Sequence, residues 1–203
     1  AIVITGAGKA FSGGADIREF GSPKAIQEPN LLSVIRSCEN SAKPVVAAIH
    51  SVAMGGGLEL ALGCHYRIAS PGTSVALPEV KLGLIPGAGG TQRLPRVAGV
   101  ETALEMTTTG KHVAAAKAMK AGIIDGVDED CVSAAKAKAR ALAAAGVWPV
   151  IAEMPNPEVP EGFFDAARAQ IEKRARGQMS PILCLEAVKA ATDRPFAEGM
   201  AKE

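Results

Sequence analysis

Residues 44–62 read Pro44-Val45-Val46-Ala47-Ala48-Ile49-His50-Ser51-Val52-Ala53-Met54-Gly55-Gly56-Gly57-Leu58-Glu59-Leu60-Ala61-Leu62. After Pro44, the run Val45–Ile49 is apolar without alternation, which predicts a short strand buried on both faces. Three glycines break the run, and 58–62 then predicts a short apolar helix. Upstream, residues 2–5 predict a second buried strand, stopped by Gly6-Ala7-Gly8. Residues 30–40 predict an amphipathic helix with Leu31, Leu32, Val34, Ile35 and Cys38 on one face. Downstream, 66–69 and 74–77 predict two more strands around Pro71-Gly72, and 91–97 and 101–108 predict helices. Strand alternating with helix implies crossover connections and parallel pairing. From residue 113 on, Ala and Lys/Arg dominate. Strands are expected to disappear there, with helices at 113–121, 130–145, 163–176 and 181–192 and a linker at 155–160. The expected fold class is α/β, with an α/β core over 1–126 and a helical region over 127–203.

The chain has 203 residues, of which 48% are hydrophobic and 21% charged, enough for one domain with a real core. The net charge is +1, so nothing forces a polybasic face and nucleic acid is not expected as a partner. Aromatics are 3%, too few for the stacking platforms that bind sugars or single strands. Cys38, Cys64, Cys131 and Cys184 lie far apart, without C-x-x-C spacing, and His50, His65 and His112 do not cluster with them. No metal site is expected, and the thiols are expected to be reduced in the cytoplasm. No signal peptide or membrane span is predicted. The sequence opens on Ala1 inside a strand-like run, so further residues are expected upstream.

Two acids carry the chemical signal. Between Lys43 and Arg67 the only formally charged residue is Glu59, and between Arg67 and Lys81 the only one is Glu79. A carboxylate within core sequence tends toward a raised pKa, which suits proton transfer. On spacing alone, each could equally border an element and face water. Gly55-Gly56-Gly57 stands directly before the Glu59 helix, where free amides and the helix dipole favour negative charge. Gly13-Gly14-Ala15 offers a second bare amide. Two such donors on one oxygen would form an oxyanion hole; singly, each glycine loop is only a turn. A dinucleotide loop fails because Phe11 occupies the third glycine position of the Gly6-x-Gly8 pattern. No Walker pattern and no Gly-x-Ser-x-Gly elbow occurs. The basic run 173–176 reads as a solvated helix face.

Taken together, 10–17, 44–49, 53–60 and 78–94 resemble the crotonase (enoyl-CoA hydratase/isomerase) superfamily, as four ordered blocks with their spacing kept. Residues 175–178, 184–188 and 195–203 resemble the hydratase half of bifunctional β-oxidation enzymes, which carry a 3-hydroxyacyl-CoA dehydrogenase downstream. The resemblance implies a spiral of ββα turns followed by a helical C-terminal region. It implies Glu59 and Glu79 as the catalytic acids, and the amides of Ala15 and Gly56 as the oxyanion hole. Gly13, Asp16, Ile17 and Gly87 are implied as substrate and coenzyme A contacts. The implied activity is hydration of trans-2-enoyl-CoA, with isomerisation as a side activity. Other crotonase-fold reactions such as thioester hydrolysis, or a non-catalytic acyl-CoA-binding role, are the alternatives. No cofactor is required beyond the coenzyme A of the acyl-CoA substrate. Assembly is implied as homotrimers or hexamers, or as a monomer within a bifunctional chain.

Overall fold

The computed structural model describes residues 1–19, 21–23 and 27–203. The strands are β1 (Ile2–Thr5), β2 (Val45–Ile49), β3 (Val52–Met54), β4 (Tyr66–Ala69), β5 (Ser74–Ala76), β6 (Val113–Ala114) and β7 (Gly126–Val127). The helices are α1 (Leu31–Glu39), α2 (Gly56–Leu62), α3 (Gly90–Ala98), α4 (Val100–Thr109), α5 (Ala115–Lys120), α6 (Cys131–Ala145), α7 (Phe163–Ala175), α8 (Ser180–Asp193) and α9 (Phe196–Lys202). Short 3-10 turns occur at Ile17–Glu19, Glu79–Leu82 and Ile151–Glu153.

Two sheets form. One has the order β1-β2-β4-β7, all parallel; the other has the order β3-β5-β6. Each pair of consecutive strands divides between them: β2 then β3 leads into α2, and β4 then β5 leads into the Glu79–Leu82 turn. The α/β class and these repeating ββα turns match the expectation.

The unbroken apolar run of β2 has a direct cause. Val45, Ala47 and Ile49 face one core with Leu58, Leu62, Leu77 and Leu94. Val46 and Ala48 face a second core with Cys131, Ala135 and Ala139 of α6. Both faces of the strand are therefore dry, and the small side chains at 135 and 139 let α6 lie close on the sheet. The C-terminal helices α7 and α8 pack on each other, and α8 packs on α3 and α4. The four cysteines are free and buried. Among the described residues, no helix is long and apolar enough to cross a membrane.

Three expectations are corrected. Strands do not end before residue 113, because β6 and β7 add two-residue pairings, too short to carry any period. Pairing is not wholly parallel either, since β6 runs antiparallel to β5. The predicted apolar face of α1 is split: Ile35 and Cys38 are buried, whereas Leu32 and Val34 are exposed. Leu31 and Leu32 instead line a cleft, and Val34 lines a groove with Ile2 and Ile4.

One contact sets how closely α2 approaches the N-terminal loop. A Cβ at Gly57 would lie 2.6 Å from the Ser12 carbonyl oxygen. Gly57→Ala should therefore lower unfolding free energy in urea by about 1–3 kcal/mol, the cost of overpacking. Gly8→Ala, where nothing lies within 4 Å, should change it by no more than about 0.5 kcal/mol.

Candidate active site

The site begins with a main-chain stitch. The Phe11 amide donates to the His50 carbonyl at 3.0 Å and the Ser12 amide to that of Val52 at 3.1 Å. The Met54 amide donates back to the Ser12 carbonyl at 3.0 Å, so Ser12 bridges Ala53 as an added parallel residue. This lays 13–15 across the turn at 55–57. Gly14 takes φ +98°, and a Cβ there would meet the Met54 oxygen at 2.9 Å, so only glycine fits this approach. The Ala15 nitrogen is 3.6 Å from the place a Gly56 Cβ would occupy. Gly56 is the first residue of α2, so its amide lies outside the helical ladder. Among the described residues, neither the Ala15 nor the Gly56 amide has a protein acceptor.

Glu59 sits one turn into α2, where side chains lean toward the helix N-terminus. It is 2% exposed. Its Oε1 accepts from the Ala88 amide and the Gly90 amide, both at 2.8 Å. Burial pushes its pKa up, and those two amides and Arg93 oppose the rise only in part. Glu79 opens the 3-10 turn after β5. Its Oε1 lies 2.9 Å from the Cβ position of Gly55, which places the carboxyl over the 55–57 turn. Its Oε2 is buried with no hydrogen-bond partner among the described residues. Burial, and then the charge of Glu59, push Glu79 up to about 7.

The loop that receives Glu59 is held from behind. Arg93, 2% exposed, donates from Nη1 to the Ala88 carbonyl at 3.1 Å. Its Nε and Nη2 make a two-point contact with Glu39 of α1 at 3.0 and 2.9 Å. A guanidinium fixed on both sides pins the loop geometrically.

Ala15, Gly56, Glu59 and Glu79 all line one cleft of about 330 Å³. Its walls are largely apolar: Leu31, Leu32, Pro78, Leu82, Leu84 and Ile85. Of the residues singled out in the sequence, Gly13, Ala15, Ile17, Gly56, Glu59, Glu79 and Gly87 line it. Asp16 does not; its carboxylate turns to the Arg18 side chain, which donates at 2.6–3.1 Å. The sequence reading missed Arg93 and the Ala88 and Gly90 amides. Arg93 could have been flagged, because it ends the uncharged run 82–92. Among the described residues, no group of three or more His, Cys, Asp or Glu side chains could hold a metal ion.

The profile of the enoyl-CoA hydratase/isomerase family matches residues 1–178. The chain belongs to that family. It is 47% identical over 209 residues to a peroxisomal bifunctional enzyme of Danio rerio, covering all of this chain and 28% of that protein. It is 40% identical over 217 residues to a peroxisomal fatty acid beta-oxidation multifunctional protein of Arabidopsis thaliana, covering all of this chain and 30% of that protein. The chain thus spans less than a third of the length of these curated relatives. A crystal structure of an enoyl-CoA hydratase from Thermoplasma volcanium superposes with a TM-score of 0.63 at 28% identity, covering 98% of this chain and 77% of that one. The two-sheet ββα architecture is therefore the family's fold.

The position of Glu79 has a consequence for stability. Its carboxyl titrates near 7 when folded, against an ordinary 4.5. Between those values the unfolded chain releases the proton and the folded chain keeps it. The folded state is therefore disfavoured progressively as pH rises from 4.5 to 7, and the penalty stays constant above that. Glu79→Gln should raise the urea midpoint at pH 8 and leave it unchanged at pH 4.

Proposed function

We propose that this chain is an enoyl-CoA hydratase region, adding water across the double bond of a trans-2-enoyl-CoA to give 3-hydroxyacyl-CoA in fatty acid β-oxidation. The observation that carries this reading is that one apolar cleft is lined by two raised-pKa acids and by two residues, Ala15 and Gly56, whose amides have no acceptor among the described residues. The thioester oxygen accepts from the Ala15 and Gly56 amides, which stabilise enolate character most strongly in the transition state. Glu59 holds a water through the carboxylate oxygen not occupied by the loop amides. It takes a proton as the water oxygen bonds to C3. The π pair moves toward C2 and the thioester oxygen, and Glu79 delivers a proton to C2. Exchange with solvent then returns both acids to their starting states. A carboxyl that titrates near 7 is suited to giving up a proton at neutral pH.

Gly13, Ile17 and Gly87 fit contacts along the coenzyme A and acyl portions. Asp16 fits such a contact through its main chain, since Arg18 occupies its carboxylate. No resident cofactor is assigned to this reaction; coenzyme A is part of the substrate. Isomerisation of 3-enoyl to 2-enoyl thioesters is proposed as a side activity, because Glu79 alone can carry one proton between C2 and C4. The bifunctional relatives favour a monomeric hydratase region within a longer chain over the trimers and hexamers common in the family. Reduced thiols fit the cytoplasm expected from the sequence. The names of the animal and plant relatives point instead to the peroxisome, which suits a β-oxidation role.

Purified protein should consume crotonyl-CoA, read as loss of enoyl-thioester absorbance. Glu59→Gln should cut hydration at least about a hundredfold and spare more of the isomerisation, whereas Glu79→Gln should abolish both. Equal loss of the two activities in Glu59→Gln would contradict these roles.

A further inference from the structure

The loop that meets Glu59 is shared with a third acid from the far end of the chain. The Ala88 and Gly90 amides go to Glu59 Oε1, but the Gly89 amide between them donates to Glu203 Oε1 at 2.7 Å. The Thr91 hydroxyl donates to Glu203 Oε2. Gln92 Nε2 supports that hydroxyl from below at 2.9 Å and is itself tied to the Ala187 carbonyl at 2.8 Å. Glu203 directly follows α9, whose Phe196 ring lies 4.9 Å from the Arg93 guanidinium and 5.1 Å from that of Arg96. Three successive amides therefore alternate between the buried carboxylate of Glu59 and the half-buried Glu203. Glu203 does not line the cleft.

We propose that Glu203 is a positioning residue for Glu59: by holding the Gly89 amide and the Thr91 hydroxyl, it fixes the loop so that the Ala88 and Gly90 amides meet on one oxygen of Glu59 and leave the other for the cleft. The inference rests on the proposed hydration, because the orientation of Glu59 matters to the rate only if Glu59 activates water. The arrangement also couples the two acids electrically. Burial, then the charge of Glu59, push Glu203 up to about 8, against the opposing pull of Thr91, Gly89 and Arg93. The groups facing Glu203 are Glu59 from α2, Arg93 from α3 and Cys184 from α8. Arg93 is itself engaged by Glu39 of α1, Glu79 acts on Cys184, and Glu59 acts on Glu79. The charge of Glu59 raises Glu203 by like-charge repulsion, so removing that charge must lower Glu203.

The test separates this inference from the hydratase reading. Turnover of crotonyl-CoA by the unaltered protein decides the reading. A carbon-13 NMR titration of the Glu203 carboxyl, in protein without substrate, decides the coupling whether or not turnover occurs. In Glu59→Gln the Glu203 midpoint should move to lower pH. In Glu203→Ala, kcat should fall about tenfold with KM within about twofold, as expected for lost orientation at a site the substrate does not touch. Glu203→Gln should recover most of that loss, since its amide oxygen still accepts from Gly89. Should Glu59→Gln fail to fold, Thr91→Val removes the hydroxyl that holds Glu203 down and must move the Glu203 midpoint to higher pH. An unmoved Glu203 titration, or a raised KM with unchanged kcat, overturns the proposal.

Discussion

A carboxylate taken out of water must be met by donors, and Glu59 is met by the main chain of 88–90. That requirement organises the neighbourhood. An unmet charge at this depth would cost several kcal/mol. The loop can bring two amides to one oxygen because glycines let it pass close to the carboxylate: a Cβ at Gly90 would lie 2.9 Å from Glu59 Oε1. A glycine loop is pliable, so it needs fixing from outside. Arg93, locked onto Glu39, supplies that on one side, and Glu203 supplies it on the other. Three acids and one guanidinium, drawn from α1, α2, α3 and the residue after α9, therefore share a single short loop.

The opposite wall of the cleft follows from the stitch between Ser12 and β3. Because the strand and the loop pair through main-chain bonds, the two amides at 15 and 56 are placed by backbone geometry rather than by side-chain packing. Backbone donors of this kind need no reorganisation as charge develops, which is where preorganised dipoles gain over water. The same β3–α2 unit supplies Gly56 at its start and Glu59 one turn later. Glu79 comes from the equivalent point after β5, the next turn of the spiral. In the proposed reaction the fold repeats one motif and uses it twice, once for an anion-stabilising amide and a base, once for an acid.

Much of this was legible in the residues. The double-sided burial of β2 is written in its unbroken apolar run, and the isolation of Glu59 and Glu79 in uncharged sequence marked both acids. The resemblance carried the pairing of Ala15 with Gly56. Two-residue strands such as Val113–Ala114 carry no period, so they could be found only through their partners. The split face of α1 escaped because a helical stripe says that side chains align, not whether core or cleft receives them. Glu203 escaped for a different reason: its partner Gly89 is more than a hundred residues away, and no local pattern encodes a contact of that range.

The most direct test is the carbonyl itself. A saturated acyl-CoA labelled with carbon-13 at the thioester carbon binds without being hydrated, and its carbonyl stretch can be read by isotope-edited infrared spectroscopy. If the Ala15 and Gly56 amides grip that oxygen, the bound stretch lies at lower wavenumber than that of the free thioester. A bound stretch equal to the free one would contradict the site described above.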